Sequence, residues 1–70
     1  MKSNKYFNIE FMYSDGICGR DYYILINNVK INVCSNNGDN TEAKEKTLNI
    51  LNSLKIKYNK EIEFKHDGWI

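Results

Sequence analysis

The stretch YYILINNVKINV, residues 22–33, leaves this chain few folds to choose from. Two apolar runs flank Asn27-Asn28. Asn tolerates positive φ better than other side-chain-bearing residues, so the pair suits a two-residue primed turn. That turn sets Ile26 opposite Val29, Ile24 opposite Ile31 and Tyr22 opposite Val33. All six side chains then share one face, and a turn shifted by one residue would scatter them. An antiparallel hairpin with one buried face is expected.

Upstream, YFNIEFMY (residues 6–13) alternates with period two. Phe7, Ile9, Phe11 and Tyr13 point one way; Tyr6, Asn8, Glu10 and Met12 point the other. Alternation this rich in aromatics reads as a half-buried strand. Residues 14–21, SDGICGRD, interrupt it with two glycines and read as a loop longer than a minimal turn.

After the hairpin comes CSNNGDN, residues 34–40. A cysteine-phosphatase loop would need Arg six residues after Cys34, where this chain has Asn40. A P-loop needs Gly-Lys-Ser/Thr, and here Gly38 is followed by Asp39 and Asn40. No twelve-residue frame matches an EF-hand. Each residue of the stretch favours turns or caps, so it reads as a strand-to-helix connection. Asp39, Asn40 or Thr41 can cap the helix, and Asp39 with Glu42 has capping-box spacing. Ala43, Thr47, Ile50, Leu51 and Leu54 then recur at three- and four-residue steps, with Leu48 at the margin. They form the apolar stripe of an amphipathic helix that ends between Leu54 and Asn59, Tyr58 extending the stripe in the longer case. Residues 60–66 alternate again through Ile62 and Phe64 and predict a short last strand, after which Trp69 can pack back on the body.

The expected architecture is β-β-β-α-β in the α+β class. One small domain over residues 1–70 would hold an antiparallel three- to four-stranded sheet with one helix on one face. A chain of 70 residues buries only about 60% of its unfolded surface. An enzyme-sized cavity would hollow out most of that core, so a non-enzymatic binding domain is expected.

The site chemistry agrees. Two cysteines and one histidine cannot make a four-ligand zinc site, and no metal, cofactor or catalytic set is expected. Cys34 falls on the strand face opposite Val33 and Cys18 in the glycine loop, two residues before Arg20. Both read as ordinary reduced thiols, with a bridge between them left open. His66 and Asp67 are neighbours that a strand would send to opposite faces, so His66 reads as a solvated terminal residue. No run approaches 18 apolar residues, and no apolar signal region follows the first lysines. A cytoplasmic protein off the membrane is expected.

One helix cannot cover both faces of the sheet. The second face would carry Tyr6, Met12, Tyr23 and Leu25 beside Asn8, Glu10, Lys30, Asn32 and Cys34. Tyr- and Met-rich surface of this kind suits a protein interface. The residues expected to bind a partner are therefore Tyr6, Met12, Tyr23 and Leu25, with Arg20 and Tyr22 reaching in from the loop. Covering by the Trp69 tail or by a second copy in a homodimer are the alternatives. Lys55, Lys57, Lys60 and Lys65 with Tyr58 could instead form a nucleic-acid surface. A net charge of +1 and a single Arg weigh against nucleic acid as the partner.

In its size, its Lys/Asn/Ile bias, its strand-rich α+β layout and its want of catalytic residues, the chain resembles small orphan proteins of phages and mobile elements, anti-CRISPR proteins among them. The resemblance implies a non-enzymatic inhibitor of a host protein, such as a defence nuclease complex, acting in the host cytoplasm. It lies in layout rather than motif, so no site residues carry over. Acidic anti-CRISPR proteins imitate DNA; a near-neutral chain would instead bind a protein surface by shape and apolar contact.

Overall fold

The computed structural model describes residues 8–17, 19–58 and 61–68. The elements follow in the order β1 (Ile9–Gly16), β2 (Gly19–Ile26), β3 (Val29–Asn36), α1 (Asn40–Ser53) and β4 (Lys65–His66). They build a four-stranded mixed sheet in the order β3-β2-β1-β4, an α+β fold with α1 against one face. The first three strands are antiparallel, whereas β4 runs parallel to β1, with Met12 beside Lys65 and Tyr13 beside His66.

The Asn-Asn turn forms as its residue types require. Asn27 and Asn28 sit at φ 51° and 71°, the left-handed pair of a type I′ turn. Asn27 also ties the turn to the chain entering β1: its N–H donates to the Asn8 carbonyl at 2.9 Å, and its Oδ1 accepts from the Asn8 N–H at 3.0 Å. Ile26 pairs with Val29 and Ile24 with Ile31.

Beyond Ile31 the expected register fails. Tyr23 pairs with Asn32 and Tyr22 with Cys34, so Val33 is the extra residue of a β-bulge. Val33 still packs against the core. Past the bulge the ladder continues through Ser35 and Asn36, so the polar connection is shorter than its composition suggests. Ser35 is held in the strand by donating its hydroxyl proton to Asp21 at 2.6 Å.

The glycine loop shrinks for a similar reason. Ser14 pairs with Asp21, Asp15 with Arg20 and Gly16 with Gly19, so the ladder runs through most of the polar stretch. Opposite charges across the strands favour this extension. Gly19 has φ +134°, and any side chain there would run into the Asn36 carbonyl oxygen, so only glycine fits.

Asp39 is the N-cap of α1, its carboxylate accepting from the N–H groups of Thr41 and Glu42 at 3.0 and 3.2 Å. The capping box is not closed by Glu42. Asn36 takes that role: its Oδ1 accepts from the Asp39 N–H at 2.7 Å, while its Nδ2 donates to Glu42 at 2.8 Å. Helix α1 stops at Ser53 with a Schellman motif. The Lys55 N–H donates to the Asn52 carbonyl, the Ile56 N–H to the Leu51 carbonyl, and Lys55 stands at φ +60°. This turn corrects the end of the stripe. Leu54 is left 51% exposed, and Ile56 enters the core in its place.

The core comprises Phe11, Ile24, Ile26, Leu51, Ile56 and Ile62, with Ala43 and Thr47 of α1 buried beside it. Each large apolar side chain so buried contributes about 1.5–3 kcal/mol. Phe11 is its aromatic centre, meeting Tyr58 and Phe64 edge-on at 5.1 and 5.9 Å. The predicted strand over residues 60–66 is hydrogen-bonded as a strand only at Lys65–His66, and Lys60 lies outside the described residues. Residues 61–64 still alternate because Ile62 and Phe64 turn inward, without a ladder.

Candidate functional site

Alternation along the sheet sends one set of side chains away from α1. Met12 of β1 lies beside Tyr23 of β2, and Tyr23 lies beside Asn32 of β3. One pair further along, Glu10, Leu25 and Lys30 form a second row. Lys65 of β4 flanks Met12. Met12, Tyr23 and Leu25 are half-buried, hemmed by the charged and amide side chains around them.

Tyr23 is the fixed point of this face. Its hydroxyl donates to Asp67 at 2.8 Å, and the Lys30 ammonium lies 4.6 Å above its ring. Burial, then the bond and charge of Asp67, push its phenol pKa up from the ordinary value. The ring is thus locked between β3 and the chain after β4, and presents a rigid aromatic surface.

Of the six residues expected to bind a partner, the structure brings Met12, Tyr23 and Leu25 together on this face. Tyr6 lies outside the described residues, as does Trp69. Tyr22 and Arg20 lie on the other face. Tyr22 is a correction: it is 1% exposed, its ring meets Phe64 edge-on at 5.0 Å, and its hydroxyl donates to Asn40 Oδ1 at 2.7 Å. Its position on β2, in step with Ile24 and Ile26, turns it into the core beneath α1 and away from any partner.

Arg20 belongs to a polar cluster at the hairpin end. Its guanidinium carbon lies 4.4 Å from the centre of the Tyr13 ring, and its Nε stands 3.8 Å from Asp15. His66 approaches the same carboxylate at 3.2 Å and meets Tyr13 edge-on at 5.3 Å. The Gly68 N–H donates to His66 Nδ1, which places the proton of neutral imidazole on Nε2, toward Asp15. His66 is exposed, as expected of a solvated residue near the end of the chain, and is in addition a partner of Asp15. Asp67 does go to the opposite face, to Tyr23.

Cys34 is also corrected. The bulge sets it opposite Tyr22, on the α1 side, where its sulfur accepts from Asn36 Nδ2 at 3.8 Å. Burial pushes the thiol pKa up, and Glu42 and Asp39 add to this against the opposing Lys46. A raised thiol pKa means little thiolate and low nucleophilicity. Cys18 lies outside the described residues. Tyr58, grouped with the lysines of the nucleic-acid alternative, is half-buried, its ring edge-on to Phe11 at 5.1 Å. Among the described residues no group of His, Cys, Asp and Glu is placed to hold a metal.

Two features of this site escaped the sequence reading, the Asp67 lock on Tyr23 and the Asn36 staple. The second had a signal: an Asn three residues before a capping Asp can accept from the N–H that a capping box leaves free. In comparisons with family models, curated proteins and solved structures, the chain matches none of them.

Proposed function

We propose that the chain is a non-enzymatic binding protein that docks on a host protein and inhibits or modulates it, as small anti-defence proteins of phages do. The observation that supports this best is the one-sidedness of the sheet. Helix α1 packs against one face, while Met12, Tyr23 and Leu25 gather on the other with Glu10, Lys30 and Lys65 around them. An aromatic held rigid by hydrogen bonding loses little conformational entropy on docking, which favours it as an anchor. The near-neutral charge of the chain fits apolar contact better than imitation of DNA. The place of action in this reading is the host cytoplasm; among the described residues no helix is long and apolar enough to cross a membrane.

Affinity capture from a bacterial host lysate tests the reading, with the wild-type chain and Leu25→Asp as parallel baits. A protein held by wild type is then purified, rebound and assayed for its own activity. Leu25→Asp is expected to weaken that binding by about 30-fold or more, as loss of a central anchor does. Saturating wild-type chain is expected to lower the captured protein's activity. Equal retention by both baits, or none by either, would refute docking through this face.

A further inference from the structure

We propose that the open edge of β3 pairs with the same edge of a second copy of this chain, antiparallel and centred on Ile31. Among the described residues the strand order is β3-β2-β1-β4, so β3 is an edge strand, eight residues long, with no other described strand on its outer side. The two-residue turn makes Ile26–Val29 and Ile24–Ile31 hydrogen-bonded pairs. The backbone N–H and C=O groups of Lys30 and Asn32 therefore point outward, away from β2. Such an edge is a template for another strand.

Beside it runs a shallow groove of about 290 Å³, lined by Ile31, Asn49, Ile50, Ser53 and Leu54. Leu54 in its lining is 51% exposed, and Val29, two residues before Ile31 on β3, is 62% exposed. No lining residue is charged. The occupant must be apolar where it fills the groove and extended where it meets the strand. The same surface of a second copy supplies both.

Register narrows the choice further. A two-fold axis through Ile31 sets Lys30 opposite Asn32 of the other copy, and Asn32 opposite its Lys30. These are the residues whose backbone groups face outward, so about four hydrogen bonds close the seam. Moving the axis to Lys30 would set like charges opposite each other and carry Asn32 against the turn residue Asn28, so only about two hydrogen bonds could close the seam. With the axis at Ile31, Val29 meets Val33, and both join Ile50 and Leu54 on the α1 side. The bulge at Val33 and Cys34 ends the pairing there. Lys30 leaves the backbone of this edge open, because its ammonium lies over the Tyr23 ring on the face away from α1, the same face on which it would meet residue 32 of the other copy.

The inference goes beyond the partner-binding reading and needs no partner. Sedimentation equilibrium on the full chain over a wide concentration range tests it. Wild type is expected to approach twice the 8.3 kDa chain mass. Asn32→Lys, which opposes like charges across the seam, is expected to weaken association by about tenfold or more. Adding Lys30→Glu to it sets opposite charges across the seam and is expected to restore the dimer. Leu54→Lys, which suits a helix C-terminus and so keeps the fold, is also expected to dissociate it. A wild-type monomer at every concentration overturns the proposal. So does a dimer that survives Asn32→Lys and Leu54→Lys, or one that Leu25→Asp alone abolishes. Circular dichroism of each variant excludes unfolding as the cause.

Discussion

Thr47 is the one buried polar residue of the core face, and its Oγ1 meets no hydrogen-bond partner among the described residues. It sits on α1 between Ala43 and Leu51, both buried, so the stripe needs a small β-branched residue there and not a hydroxyl. A buried donor without a partner carries its desolvation cost uncompensated. Thr47→Val keeps the shape and removes that cost. It is expected to raise unfolding stability by about 1 kcal/mol, read from the denaturant midpoint at unchanged m-value. A fall in the midpoint would mean that the hydroxyl is satisfied by its own helix. Tyr22 shows the opposite arrangement, since its hydroxyl reaches Asn40 and its ring fills the core.

At the scale of elements, the hairpin and α1 were legible because side-chain period and turn chemistry gave the same answer. Asn27-Asn28 demanded one turn, and only that turn put Ile24, Ile26, Val29 and Ile31 together. The bulge was not legible, since an inserted residue that is itself apolar, such as Val33, leaves the pattern of residue types intact. The short tip of the first hairpin was hidden by Ser14, Asp15, Arg20 and Asp21, polar residues that pair across strands at an exposed end. Residues 61–64 show the converse, an in-and-out pattern imposed by core packing without strand bonds. Of the free face, Met12, Tyr23 and Leu25 followed from alternation alone, whereas Asp67 depends on where β4 docks. The helix end rests on Lys55 in a left-handed conformation that glycine adopts without strain. Lys55→Gly is expected to stabilise the chain by about 1 kcal/mol, seen as a rise of several degrees in Tm. No change would mean that the Lys55 side chain holds the turn in some other way.

For the molecule as a whole, the consequence of a one-sided core is that neighbouring residues of β2 have opposite duties. Ile24 is fully buried and belongs to the core cluster, while Leu25 lies on the face that α1 leaves open. A single core of 70 residues rarely holds more than about 3–5 kcal/mol of stability. Ile24→Ala removes buried methyl groups and leaves a cavity, at a cost of about 2–5 kcal/mol, so most of the population should unfold. Leu25→Asp exchanges a half-exposed side chain for a charge beside Lys30 and Glu10, where water and the ammonium can receive it. Its cost should stay near 1 kcal/mol, leaving the chain folded. Urea titration of both variants, followed by far-UV circular dichroism, measures the contrast. If Leu25→Asp unfolds the chain as Ile24→Ala does, both faces of β2 are core, and the face assigned here to a partner is already filled from within.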